Sequence, residues 1–199
     1  MASHPESALQ LAREKGIIRP RDLAARGIPR VTLTRLVHSG RLERIGRGLY
    51  ALPNRDVTEH QGLVETAKRI PHGVICLLSA LRFHGLTTQD PFEVWMAIDR
   101  KSRRPRQDYP PLRVVRFSAR ALVEGVVEHR IEGVRVRITS PARTVVDCFR
   151  YRSKVGLDVA IEALRDYRRG AAGTVDELWK AAEVARVRSV IRPYLEALA

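Results

Sequence analysis

RLERIGRGLYALPNR, residues 41–55, is the stretch whose reading decides the fold. Apolar residues lie on both sides of a Gly46-Arg47-Gly48 tip, and four arginines are spread along it. Apolar segments meeting at a glycine-bounded tip read as a β-hairpin. Glycines there permit a tight turn with positive φ and let the backbone come close to a partner. An arginine held between them is either an ordinary soluble turn residue or the cationic tip of a wing that reaches phosphates. What precedes the hairpin separates the two.

Residues 6–15 place apolar side chains at 8, 9, 11 and 12, a short amphipathic helix stopped by Gly16. Ile17-Ile18-Arg19 is a brief extended piece. Pro20 opens a second helix, which Gly27 ends. Pro29 opens a third, and Gly40 follows it. Helix, short strand, helix, turn, helix and two-stranded hairpin is the order of a winged helix-turn-helix, a DNA-binding module.

At 100° per residue, the third helix turns Leu33, Leu36 and Val37 to one face. Val31, Thr34, Arg35 and His38 fall on the opposite face, with Thr32 and Ser39 to one side. A helix face of threonine, histidine and arginine suits groove reading. Arginine bonds guanine O6 and N7 together, and a threonine or valine methyl touches thymine. The candidate DNA contacts are therefore Arg30, Thr32, Thr34, Arg35 and His38 on the helix, with Arg41, Arg44 and Arg47 on the wing. A plain solvated helix face is the competing interpretation, and the basic wing that follows weighs against it.

The charge points the same way. The 199 residues hold 36 basic against 22 acidic, a net charge of +14, which favours polyanionic partners. Arginine outnumbers lysine 31 to five, a bias that a GC-rich genome alone would produce. Composition bias does not explain the excess over acid. Residues 1–57 carry 11 basic and five acidic residues, and the rest 25 and 17, so the basic character is not confined to the N-terminal part. No segment approaches the roughly 18 apolar residues of a membrane span. The N-terminus lacks the basic and apolar regions of a signal peptide, so a cytoplasmic protein without membrane contact is expected. Cys76 and Cys148 are far apart with no CxxC or CxxH partner, which suits a reducing compartment and gives no metal site.

Beyond residue 55, Thr58 and Gln61 form a capping-box pattern for a helix to about Ile70. The stretch 74–85 is apolar almost all round and reads as a buried helix. Residues 92–99 and 112–118 read as strands. Between them runs a basic, proline-rich loop with Arg100, Lys101, Arg103, Arg104 and Arg106 as further candidate phosphate contacts. Glu132-Gly133 centres a hairpin, and Ser140-Pro141 starts a helix. Three more helices follow, over about 157–169, 175–186 and 188–198. The expected fold is α+β: a winged helix-turn-helix at 1–55, then an α+β domain at 56–199 with a mostly antiparallel or mixed sheet and a helical C-terminal third.

The order GIIRPRDLAARGIPRVTLTRLVHSGRLERIGRGLYALP, residues 16–53, resembles the N-terminal domain of AbiEi-family antitoxins, the transcriptional regulators of type IV toxin–antitoxin systems. LLSALRFHGLT at 77–87 and ITSPARTVVDCFRY at 138–151 are similar to later segments of that family. Pro29 departs from it, standing where a capping serine or threonine is usual. The resemblance implies a repressor of its own operon. It also implies a second domain that counteracts a nucleotidyltransferase-like toxin without a stable complex, with neither catalytic residues nor cofactor. The expected partner is double-stranded DNA with an inverted repeat, bound by two copies of a protein that is a monomer or weak dimer in solution. One 55-residue reader contacts too few bases for selectivity.

Two other readings stand beside this one. The first is a winged-helix regulator with no toxin partner. The second is a nuclease, because Asp99-Arg100-Lys101 follows an apolar strand in the manner of an acid-x-lysine metal site. Such a site needs a second carboxylate to hold Mg²⁺, and neither Asp90 nor Glu93 is well spaced for it. Asp-x-Asp, needed for nucleotidyl transfer, is absent. His84 is expected to satisfy a helix C-terminus, and Asp147 to pair with a neighbouring arginine.

Overall fold

The computed structural model describes residues 3–107, 109–170 and 172–198. They fall into two compact units, one within residues 3–69 with 130–135 and the other within residues 70–129 with 136–198.

In the first unit, α1 (His4–Lys15), β1 (Ile17–Ile18), α2 (Pro20–Ala24) and α3 (Val31–His38) are followed by the hairpin β2 (Glu43–Gly46) and β3 (Leu49–Ala51). Proline at its first position suits α2, because the missing N–H is one the first turn cannot use. The Asp22 side chain accepts from the Arg19 amide at 2.8 Å, which closes the same turn. Strand β3 lies between β1 and β2, pairing antiparallel with both. Under this sheet and the helices lies one apolar cluster of Ala8, Leu9, Leu11, Leu23, Ile28, Leu33, Leu36 and Leu42.

Helix α4 (Gln61–Arg69) also belongs to this unit. Its Lys68 ammonium lies 3.6 Å from the Asp22 carboxylate. Burial opposes the ionised form of Asp22, but Lys68, the Arg19 amide and Arg19 outweigh it and draw the carboxyl below its usual value. The expected capping box does not form. Thr58 donates its hydroxyl to Glu132 at 2.8 Å instead, and Gln61 donates to Glu65 at 2.8 Å. Glu132 is the stronger claimant because it also receives the Thr58 amide (2.9 Å) and Arg55 Nη1 (2.8 Å). Glu132 stands at the turn of the predicted hairpin, and there the chain presses on Gly16. A Cβ on Gly16, whose φ is +63°, would lie 1.8 Å from the Glu132 carbonyl oxygen.

The second unit is built on a mixed five-stranded sheet, β6-β5-β4-β8-β7. Its strands are β4 (Val74–Ile75), β5 (Val94–Asp99), β6 (Leu112–Phe117), β7 (Val126–Ile131) and β8 (Val134–Thr139). Strand β4 corrects the reading of 74–85 as one helix. Val74 and Ile75 pair antiparallel with β5, and Ile75 also pairs parallel with Ile138 of β8. A buried apolar run does not by itself distinguish a central strand from a helix, and the β-branched pair goes to the sheet. The helix that follows, α5, is only Leu77–Phe83.

Helix α6 (Pro141–Arg150) is capped by the Ser140 hydroxyl and is buried over almost its whole length. It precedes α7 (Arg152–Val155), α8 (Leu157–Arg169), α9 (Val175–Val184) and α10 (Arg188–Ala197). Thr174 and Glu177 form the capping box predicted for α9. Phe149, Val145, Leu164, Tyr167, Leu178 and Ile191 join the sheet residues Val115 and Phe117 in one core.

His84 closes α5, and its Nε2 donates to the Thr139 carbonyl at 2.7 Å. Asp147 is fully buried and accepts from Arg143 Nε at 2.8 Å. Burial pushes the Asp147 carboxyl up to about 6 from 3.8, against the pull of Arg143. Between those values the folded chain holds a proton that the unfolded chain releases. This group's contribution to stability therefore increases as pH falls from about 6, and is least favourable at neutral pH. Asp147→Asn removes the titration. The expected result is a wild-type Tm that gains on the variant's as pH drops from 7.5 to about 5. A difference that stays flat across that range would place the carboxyl at its ordinary value.

Candidate nucleic-acid interface

The candidate interface rests on α3 and the hairpin. Leu33 and Leu36 are 1% and 3% exposed and hold α3 on the apolar cluster. That anchoring directs Val31, Thr34, Arg35 and His38 outward, and all four are exposed, Val31 by 51%. Arg30, at the start of the helix, is exposed too, and its side chain makes no capping bond. With arginine at this N-cap position, α3 lacks the side-chain cap that serine or threonine there would supply.

Thr32 is a correction to the expected face. It is 5% exposed, on the flank of α3 that turns inward beside Leu33 and Leu36, and has no surface to offer a groove. The remaining helix candidates form one continuous surface.

Arg41, just before the hairpin, and Arg44 and Arg47 on it are all exposed. Among the described residues none of the three forms an ion pair, nor do Arg30 and Arg35; only Arg44 bonds locally, Nε to the Gly46 carbonyl at 3.4 Å. Five unpaired guanidiniums on one small unit give a surface potential that attracts a polyanion. Arg47 and Gly48 make the two-residue turn, with Gly46 opposite Leu49.

The two glycines serve different purposes. Gly48 has φ +72° with open space around its Cα, so it is there for the turn. Gly46 has no positive φ. A Cβ there would come within 2.5 Å of Arg69 Nη2, so its bareness admits the α4 guanidinium. The buried Glu65 holds that guanidinium from the next turn, 3.9 Å away. This partner of the hairpin was missed in the sequence, because 20 residues separate it from the tip and Arg69 carries no local signal.

In the second unit, Arg100, Lys101, Arg103, Arg104 and Arg106 are all exposed on the loop between β5 and β6. The carboxylates of the nuclease reading have other engagements. Asp99 accepts from the Lys101 amide at 2.8 Å, Glu93 lies 3.5 Å from Arg113, and Asp90 lies 3.7 Å from Arg82. No group of three or more metal-ligating side chains occurs among the described residues. Nor is any helix among them long and apolar enough to cross a membrane.

Residues 6–53 match the family of transcriptional regulators described as AbiEi antitoxins. The segments at 77–87 and 138–151 lie outside that match. The crystal structure of the RV2827C protein from Mycobacterium tuberculosis resembles this chain with a TM-score of 0.59 at 13% identity, covering 98% of this chain and 78% of that one. At that identity the likeness is one of fold. None of the curated proteins matches the chain in sequence.

Proposed function

From residues 6–53, which carry the AbiEi antitoxin match, we propose that this protein is a transcriptional repressor that binds double-stranded DNA selectively through its first unit. The observation that carries the reading is the exposed surface of Arg30, Val31, Thr34, Arg35 and His38, continued by unpaired arginines on the hairpin. In this reading α3 lies in a major groove. Arg35 bonds a guanine edge, and Thr34 and Val31 give methyl contacts. Arg41, Arg44 and Arg47 meet the flanking phosphates or the minor groove, which fixes register without reading bases. The hairpin acts as a wing. The loop 100–106 is a second set of phosphate donors.

Two copies on an inverted repeat double the bases read. The repressor controls its own operon, and the second unit counteracts a nucleotidyltransferase-like toxin without holding it in a stable complex. What supports the toxin role is the family match together with the similarity at 77–87 and 138–151.

A mobility-shift titration with DNA from upstream of the protein's own gene tests the binding claim. The expected result is a shift of that fragment at protein concentrations that leave random duplex free, at physiological ionic strength. Equal retention of both fragments would reduce the protein to a non-selective cation. The role is binding and not cleavage, so plasmid incubated with the protein and Mg²⁺ or Mn²⁺ stays supercoiled. Nicking that Asp99→Ala abolishes would favour the nuclease reading.

A further inference from the structure

The second unit holds a cavity of about 410 Å³ between the end of β6, helix α6 and the turn after α9. Arg100, Arg116, Arg120, Arg143, Arg150 and Arg186 all line it. They come from five separate places in the chain and converge on one space.

Two carboxylates share the lining, and each is already paired: Glu124 with Arg120 at 2.7 Å, and Asp147 with Arg143 at 2.8 Å. Among the described residues Arg100, Arg116 and Arg186 have no carboxylate partner, and Arg150 forms no ion pair, acting on Asp147 only at longer range. Arg116 and Arg150 spend one nitrogen each on backbone carbonyls, of Asp99 and Ser102 and of Ala185 respectively. Arg100 and Arg186 make no such bond and are exposed. Like charges gathered in one concave space repel one another, and an anion seated among them relieves that. Guanidinium forks suit phosphate oxygens in particular.

The lining also lacks something that a simple anion would not supply. Glu124 Oε2 and Asp147 Oδ1 are buried and have no hydrogen-bond partner. Both are acceptors, so each calls for an N–H or O–H from whatever fills the space. The occupant must carry phosphate oxygens for the arginines together with hydroxyl or amino donors for the carboxylates. The cavity lies in the usual size range of small-ligand sites, about 300–1,000 Å³.

We propose that this cavity is a nucleotide-binding site. The phosphates sit among Arg100, Arg116, Arg150 and Arg186, and a sugar hydroxyl or base amino group bonds the free oxygens of Glu124 and Asp147. No bond is made or broken there.

The test is calorimetric titration of the full chain with ATP, GTP, tripolyphosphate, ribose 5-phosphate and a short DNA duplex. It is carried out on the wild type, Arg186→Ala and Glu124→Gln, each checked for folding by circular dichroism. The expected result is one nucleotide per chain, with tripolyphosphate and ribose 5-phosphate both weaker. Arg186→Ala should weaken nucleotide and tripolyphosphate alike by about tenfold, the loss of one charge-assisted contact. Glu124→Gln should weaken the nucleotide only. The proposal is overturned if the wild type binds neither nucleotide, or if Arg186→Ala leaves nucleotide binding unchanged. It is overturned equally if Glu124→Gln treats nucleotide and tripolyphosphate the same, if ribose 5-phosphate binds as tightly as the nucleotides, or if Arg186→Ala weakens only the duplex.

Discussion

Alanine at Arg35 is expected to weaken binding to the operator by about 1–3 kcal/mol, roughly five- to 150-fold, with little change on random duplex. The side chain is exposed on α3 and, among the described residues, bonds to nothing within the protein, so its removal leaves the fold intact. Arg47→Ala should behave differently. At the hairpin turn a phosphate or minor-groove contact is blind to sequence. Its loss should lower affinity for operator and random DNA alike, and reduce the slope of log K against log salt by about one. Salt titrations of both variants on both duplexes separate the two roles. If both bind like the wild type, the outer face of α3 is only a solvated surface.

Alanine at Gly16 should destabilise the first unit by about 3 kcal/mol or more. Two causes combine. The backbone at φ +63° and ψ −67° lies outside even the left-handed helical well and is one that a Cβ disfavours, at about 1–3 kcal/mol. The new methyl would also stand 1.8 Å from the Glu132 carbonyl oxygen, and a backbone atom cannot swing aside as a side chain can. Gly27 is the control, because it has φ +68° but nothing within 4 Å, so Gly27→Ala carries the conformational penalty alone. Hydrogen-exchange protection of α1 and α3 amides reads the effect in the right unit. Equal losses from the two substitutions would mean that the turn at Glu132-Gly133 does not press on Gly16.

The contrast between these two glycines shows where sequence reading stops. Both end a predicted helix, and nothing nearby in the chain says that one of them faces a carbonyl 116 residues away. Local signals served well where the contacts that decide the structure are local. The 100° period of α3 gave its outer face, the Ser140-Pro141 start gave α6, and Thr174 with Glu177 gave the start of α9. Thr32 was misplaced because a residue on the flank of a helix is buried or exposed according to its tertiary neighbours. Val74–Ile75 was misread because a central strand and a buried helix share one composition. Gly46 was assigned to the turn because Arg69 is invisible from the hairpin. The six arginines of the cavity are scattered from 100 to 186 with no common spacing, and only the folded chain gathers them.

The seating of residues 130–135 in the first unit also bears on how such a protein can be inherited and engineered. A reader that ended at residue 69 would be a cassette, free to be cut out, duplicated or joined to a new effector by a single crossover. Here six residues of that reader are encoded inside the gene segment for the other unit, where Glu132 holds Arg55 and Thr58. A fusion or truncation made at the linear boundary would remove the closer of the two carboxylates beside Arg55, Glu132 at 2.8 Å, and leave only Glu43 at 3.7 Å. Any exchange of the second unit has to keep the 130–135 turn, or replace it with another of the same shape and charge.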